Sequence, residues 1–159
     1  MIKCKIITLG SLKENFLKEA SNEYRKRLSR FCDLEILELD PVKLPDSPSK
    51  GEIDSALKKE AELIIKKIPS NSKVIALCVE GKELSSEDFA ENIKEISALG
   101  QGLCFIIGSS YGLNEEIKRN ADLRLSVSKM TFPHKLFRVM LLEQLYRAFM
   151  INADSQYHK

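Results

Sequence analysis

The residues with most to offer chemically lie toward the carboxyl end of the chain. The run Leu125-Ser-Val-Ser-Lys-Met-Thr-Phe-Pro-His134 mixes polar and apolar side chains and leads directly into a helix-patterned segment, residues 135–149. Backbone groups of such a loop can hold the polar edges of a nucleoside while Leu125, Val127, Met130 and Phe132 wall its apolar parts. A capped helix start without a ligand, with Pro133 in its first turn, would carry the same pattern. Upstream, Phe105-Ile-Ile-Gly-Ser-Ser-Tyr-Gly-Leu113 is an apolar strand ending in a glycine turn. The carboxyl ends of buried strands are where open α/β sheets place ligands, and Gly108 and Gly112 would let one lie against the backbone. Their spacing is not the G-x-G-x-x-G dinucleotide fingerprint, so an ordinary strand-to-helix turn is the simpler account of the glycines alone. Gly81, just after Val74-Ile-Ala-Leu-Cys-Val79, occupies an equivalent position.

The titratable groups nearby are few. His134 falls in the first turn of the last helix, where the dipole disfavours an imidazolium, which points to a neutral structural or capping role rather than to a general base. The helix itself places Leu136, Phe137, Val139, Met140, Leu141, Leu142, Leu145, Tyr146 and Phe149 around most of its circumference. Such a helix is either central in the core or shared between two subunits. Arg147 on this helix, and Tyr157 and His158 in the closing Gln156-Tyr-His-Lys159, are then polar groups delivered near an interface, unless the terminal pair belongs to a loose tail. Cys4, Cys78 and Cys104 sit inside apolar strand patterns and Cys32 at a helix-to-strand join. None has the paired spacing of a zinc site, so buried free thiols are expected, with neither metal nor disulfide.

The elements that must position these residues alternate. Residues 3–9 read as a strand, followed by a helix with the stripe Phe16, Ala20, Tyr24, Leu28 and Phe31 opposite Lys18, Arg25, Lys26 and Arg30. Residues 33–39 form a second strand; residues 40–51, with Pro41, Pro45 and Pro48, are expected to be an irregular, mobile loop. A helix over residues 52–67 carries Ile53, Leu57, Ala61, Ile64 and Ile68 on one side, with Pro69 as its stop. Residues 74–79 form a strand apolar on both faces, which Glu80-Gly81-Lys82 turns toward a helix capped by Ser85 or Ser86, with Phe89, Ile93, Ile96 and Leu99 buried. A strand over 103–107, a short helix over 114–120, a short strand over 123–125 and the last helix over 133–149 complete an α/β chain with a mainly parallel sheet.

At 159 residues, with 43% hydrophobic and 30% charged side chains, the chain suits one domain with a full core. No apolar run is long enough to cross a bilayer and the strand-like start does not resemble a signal peptide, so no membrane association and a cytoplasmic location are expected. The net charge of +2 is uninformative, but its distribution is not: residues 1–31 hold eight Lys/Arg against three acids and residues 126–159 five against two, while the middle is acidic. A fold that brings the ends together would form a positive surface suited to a phosphate backbone, or simply a solvated face.

With these residues in place, the chain resembles the RlmH family of the SPOUT superfamily, S-adenosylmethionine-dependent methyltransferases of large-subunit ribosomal RNA. The resemblance runs through Lys5-Ile-Ile-Thr-Leu-Gly-Ser-Leu-Lys13, Glu23-Tyr-Arg-Lys-Arg-Leu28, Leu84-Ser-Ser-Glu87, Ile107-Gly-Ser-Ser-Tyr-Gly-Leu113, the 125–134 run, Glu143-Gln-Leu-Tyr-Arg-Ala-Phe149 and Tyr157-His158. The Ser-Lys-Met-Thr-Phe-Pro-His run and the Tyr-His ending are specific together.

The resemblance implies a single SPOUT domain over residues 1–159, with a mainly parallel sheet flanked by helices and a carboxyl-terminal trefoil knot, a topology that periodicity cannot reveal. It implies a homodimer whose partner completes each active site, and methylation of N3 of a pseudouridine in 23S rRNA on the assembled ribosome. Carried onto matching positions, S-adenosyl-L-methionine falls to Leu77, Gly108, Val127, Ser128, Lys129, Met130, Thr131 and Phe132. Arg147, Tyr157 and His158 fall on the substrate side. There His158 is a candidate base, Tyr157 a stacking partner and Arg147 a stabiliser of the developing anion.

Two positions depart from the family pattern: Gly108-Ser109 replaces a usual Gly-Gly, and Asn152-Ala-Asp-Ser-Gln156 is more acidic than usual. Rival readings are a non-catalytic RNA- or ribosome-binding protein of the same fold, and a tRNA-directed SPOUT methyltransferase, many of which append an RNA-binding domain for which this chain has no room.

Overall fold

In the computed structural model, strands and helices alternate as the sequence predicts. Residues 1–158 are described; Lys159 and the side chain of His158 lie outside the described residues. The order is β1 (Ile2–Leu9), α1 (Asn15–Leu28), β2 (Cys32–Leu39), α2 (Lys50–Ile65), β3 (Ser72–Glu83), α3 (Ser86–Ala98), β4 (Gly102–Ile107), α4 (Glu115–Asn120), β5 (Leu123–Ser126) and α5 (His134–Asn152), closed by a 3-10 turn, Gln156–His158.

The five strands pair in parallel in the order β2-β1-β4-β3-β5. Travel across the sheet reverses at every connection, so right-handed crossovers must put odd and even helices on opposite faces. They do. Leu28 of α1, Phe89 and Ile93 of α3, and Leu142 and Leu145 of α5 share one core with Cys4, Ile6 and Phe105. Ala61 and Ile64 of α2 and Ile117 of α4 share the other with Ile7, Leu9, Cys104 and Ile106. Alternate residues of β1 and β4 therefore feed two cores, which is why β4 reads as an unbroken apolar run.

Helix α5 resolves the question posed by its all-round apolar surface. It lies against both α1 and α3, and no residue from His134 to Ile151 is exposed. Phe31 stacks on Phe149 with ring centroids 5.7 Å apart, and Tyr24 meets Tyr146 at 6.5 Å. One protomer thus buries its core-facing side completely and leaves the remainder half-buried.

Several expectations need correction. Phe16 is 68% exposed; α1 instead buries Leu17, Ser21 and Leu28, a stripe whose apolar rhythm is broken by the serine. Leu99, just beyond the end of α3, is also exposed. Helix α2 begins at Lys50 rather than after Gly51, because Ser49 and Glu52 form a reciprocal capping box. The segment ahead of it is irregular as expected, yet tied down: the Val42 N–H donates to Glu60 of α2 at 3.0 Å.

The largest correction concerns Glu80-Gly81-Lys82, which continues β3 instead of turning out of it. Leu77 and Lys82 both pair with Leu125, and Glu83 pairs with Ser126. Residues 78–81 thus leave the ladder and return to the same point, a wide bulge of the kind found beside functional sites. Gly81 crosses β5 so closely that an added Cβ would stand 2.8 Å from backbone atoms of Arg124 and Leu125. Gly81→Ala is therefore expected to destabilise the protein by about 2 kcal/mol in denaturant unfolding, as overpacked sites do. An unchanged midpoint would show that the crossing has slack.

Candidate functional site

The carboxyl ends of β3, β4 and β5 enclose a cleft of about 760 Å³. The connections after β4 and β3 leave on opposite faces of the sheet, which opens a crevice where doubly wound folds bind ligands. The bulge of β3 supplies one wall with Cys78, Val79 and Glu80; the turn after β4 supplies a second; Leu125, Val127 and the start of α5 supply the third. A cleft of about 860 Å³ at the opposite end, around Met1, Lys3, Asp33 and Gln101, lies at the amino ends of β1 and β4. It receives none of the candidate cofactor or substrate residues.

Leu77, Gly108, Val127, Thr131 and Phe132 all line the first cleft. Phe132 is held edge-on to Phe137 at 5.9 Å. Gly108 is required by the turn itself: a Cβ there would stand 2.3 Å from the Gly112 carbonyl oxygen. That closure also leaves backbone, not side chain, facing the cleft. Ser128, Lys129 and Met130 do not line it. The Ser128 hydroxyl accepts from the Met130 N–H at 3.0 Å and its carbonyl accepts from the Ser126 hydroxyl at 2.9 Å, so this residue braces the loop. Met130, expected as an apolar wall, is 73% exposed.

The cleft also contains groups the sequence reading missed. Lys118 of α4 reaches Glu80 at 2.5 Å and Glu115 at 3.3 Å. The hydrogen bond from Lys118 holds the Glu80 carboxyl below the ordinary carboxylate range. Cys78, expected to be buried, is only half-buried in the cleft wall. His134 borders the cleft as well, and burial, reinforced by Lys135 and Arg138, lowers its pKa, so the imidazole is neutral as its helix position suggests. Behind the cleft, Arg138 is 4% exposed; its guanidinium donates to Glu38 at 2.8 Å and to the Gly10 carbonyl at 2.9 Å. It ties the first turns of α5 to the ends of β1 and β2.

Arg147 and Tyr157 form a separate cluster. Glu143, one turn earlier on α5, accepts from the Arg147 guanidinium at 2.6 and 3.0 Å. The same guanidinium lies 5.0 Å above the Tyr157 ring, whose edge meets Tyr146 at 4.9 Å. The candidate base, His158, has its side chain outside the described residues. Arg147 lies thirteen positions along the helix from His134, about 20 Å along the axis. A smaller cavity of about 350 Å³ shares Leu77, Leu125, Ser126 and Val127 with the main cleft and extends to Glu143. Arg147 lies on α5 and the cofactor set ahead of it; Arg147 and Tyr157 do not line the main cleft, although the smaller cavity runs from Leu77 and Val127 to Glu143. Among the described residues, no group of His, Cys, Asp or Glu is arranged to hold a metal ion. No helix is long and apolar enough to cross a membrane.

A parallel α/β sheet with a cleft at the carboxyl ends of its strands is a ligand-binding architecture, and the chain belongs to the SPOUT methyltransferase family: the family model described as "Predicted SPOUT methyltransferase" matches residues 2–158. More specifically, the chain is 50% identical over 155 residues, 97% of its length and 98% of the relative's, to ribosomal RNA large subunit methyltransferase H 1 of Clostridium perfringens. It is 48% identical to the methyltransferase H of Clostridioides difficile, with 97% and 98% covered, and 48% identical to that of Streptococcus suis, with 99% and 100% covered. A solved methylase-family structure from Neisseria gonorrhoeae shares the fold at a TM-score of 0.52 and 11% identity, covering 90% of this chain and 81% of that one.

The lowered pKa of His134 carries a sign for stability. The unfolded imidazole, with a pKa of about 6.5, takes up a proton that the folded one resists, so stability present above that value is lost as pH falls through it. Between about pH 7.5 and 5.5 the melting temperature of the native protein should fall further than that of His134→Gln. Equal losses would remove His134 as the cause.

Proposed function

We propose that this chain is an S-adenosyl-L-methionine-dependent methyltransferase that modifies N3 of a pseudouridine in 23S rRNA of the large ribosomal subunit, on the assembled ribosome in the cytoplasm. It acts as a homodimer of single SPOUT domains with a trefoil knot. The near-full-length identity of about half with relatives named large subunit methyltransferases carries this reading. The passage of Gly81 over the backbone of β5, just ahead of the loop into α5, supports the threaded arrangement.

The cleft suits the cofactor in size and chemistry. Its volume is within the usual range of about 300–1,000 Å³ for small-molecule sites. Leu77, Leu125, Val127 and Phe132 offer apolar walls for a purine, and the turn at Gly108 offers bare backbone for polar edges. The Lys118–Glu80 pair presents an ammonium and a carboxylate to the charged end of an amino acid or to hydroxyls. A neutral His134 adds no positive charge beside a cation. When bound, S-adenosylmethionine supplies an electrophilic methyl group on a sulfonium centre.

The chain's own contribution is then placement of the nucleotide and its proton. Tyr157, held edge-on against Tyr146, gives a base a flat face on which to stack. Arg147, oriented by Glu143 before any substrate arrives, is a preorganised donor for negative charge gathering on the pyrimidine ring. His158 is the proposed proton acceptor at N3. Arg147 and Tyr157 do not line the main cleft, which favours their acting on the partner's cofactor and is the reason for the dimer. Lys18, Arg25 and Lys26 on α1 and Arg30 just beyond it are exposed, a basic surface available to rRNA phosphates.

Two measurements test this. With methyl-labelled cofactor and ribosomes lacking the modification, nucleoside mass spectrometry should find N3-methylpseudouridine in large-subunit rRNA; cofactor binding without label would turn the reading toward tRNA or a non-catalytic binding protein. Arg147→Ala should lower the transfer rate by about 10²-fold while leaving cofactor affinity nearly intact. Equal losses in both would place Arg147 with the cofactor instead.

A further inference from the structure

Helix α2 carries a carboxylate that nothing so far has used. Glu60 is 4% exposed, and no cation pairs with it among the described residues. Its two oxygens accept from different parts of the chain: Oε2 from the Val42 N–H at 3.0 Å, Oε1 from the Ser109 hydroxyl at 3.4 Å. Val42 belongs to the proline-containing strap over residues 40–49, and Ser109 to the turn that walls the cofactor cleft. Burial pushes the Glu60 carboxyl above its ordinary range, which the two hydrogen bonds only partly offset. A lone carboxylate in such a place costs stability relative to an apolar side chain of similar size, so its use must be sought in what it holds.

The space around it narrows the answer. A cavity of about 150 Å³ separates the strap from the turn, bordered by Pro41, Val42, Glu60, Ser109, Ser110 and Tyr111. Between the strap and Ser109 the apolar packing leaves this gap, and the hydrogen bonds of Glu60 span it. Ser109, Ser110 and Tyr111 border the cofactor cleft on their other side. One layer of residues thus separates Glu60 from the ligand space.

We infer that Glu60 is a positioning residue for the cofactor cleft, fixing the turn over residues 108–112 by linking Ser109 to the strap at Val42. The inference rests on the cofactor reading of that cleft. Through Ser109 it sets the position of the backbone next to Gly108, where a shift of a few tenths of an ångström would cost hydrogen bonds to a bound nucleoside. Its influence falls on cofactor affinity, while the distant Arg147–Tyr157 cluster is left as it is.

Calorimetric titration with S-adenosylhomocysteine tests this in the full-length protein. Glu60→Leu, which fills the same space without hydrogen bonds, and Ser109→Ala should each weaken binding by about tenfold, and the double variant by no more than either alone, because both cut one linkage. Glu60→Gln retains an acceptor for Val42 and gains an amide donor toward Ser109, so it should stay within about threefold of the native affinity. In the methylation assay the affected variants should raise KM for the cofactor and keep kcat within about twofold. Native-like affinity in both Glu60→Leu and Ser109→Ala would overturn the inference; if Glu60→Leu fails to fold, Ser109→Ala alone decides it. Failure of the native protein to bind S-adenosylhomocysteine would overturn the cofactor reading itself, and this inference with it.

Discussion

Leu77 and Lys82 reach the same residue of β5, Leu125, and the four residues between them have nowhere to go but out of the sheet. That excursion sets the geometry of the carboxyl edge. It raises Cys78, Val79 and Glu80 into a wall, brings Glu80 to Lys118 on α4, and lays Gly81 against the backbone of β5. Because the strand then resumes pairing at Glu83, Ser85 is delivered as the cap of α3, where its hydroxyl accepts from the Asp88 N–H at 3.0 Å. Helix α3 in turn forms one side of the bed on which α5 lies. A bulge one residue shorter would lose either the wall or the register of everything that follows, since a one-residue slip sends every side chain to the opposite face.

A second tie works from the other end of the sheet. Arg138 is a nearly fully buried charge whose partners, Glu38 and the Gly10 carbonyl, belong to the ends of β2 and β1. Its Nε finds no acceptor among the described residues. Leaving a guanidinium donor unsatisfied in the interior costs free energy, and a buried ion pair is at best weak support for stability. The pair is better understood as fixing position: the first turns of α5, including His134 and Phe137 at the cleft, are tied to two strands that the cleft itself does not touch.

The fold was largely legible because its two cores are fed by alternating residues in β1 and β4, and because Ser85 and Pro69 punctuate the helices where backbone chemistry requires it. What escaped were features defined by distant parts of the chain. Glu80-Gly81-Lys82 has turn composition, and only the proximity of β5 makes it a strand with a bulge. Helix α1 was misphased at its start because Ser21 faces the core where an apolar residue would have marked the stripe. Glu60 and Arg138 look like solvated residues of amphipathic helices; their partners lie 18 and 100 residues away in sequence. In the 125–134 run, local pattern identified the loop but not the direction of each side chain. Ser128 spends its hydroxyl on the loop itself, and Met130 faces outward.

The placement of groups along α5 carries the last step. A cofactor cleft benefits from a rigid, closed wall, whereas a site that receives a nucleotide from a ribosome must be open to a very large partner. In the proposed function the two demands fall toward opposite ends of α5, whose start borders the cleft and whose residues from His134 to Ile151 are nowhere exposed. A helix bedded on both α1 and α3 transmits little bending, so the distance between its ends is a fixed length rather than a hinge. Side chains at both ends are also set before any ligand arrives, Phe132 by Phe137 and Arg147 by Glu143 and Tyr157. Alignment of a methyl donor with a nitrogen nucleophile then requires two rigid bodies to meet at one angle. In the proposed function, a two-fold pairing of identical chains would provide that through a single self-complementary contact, without any moving part.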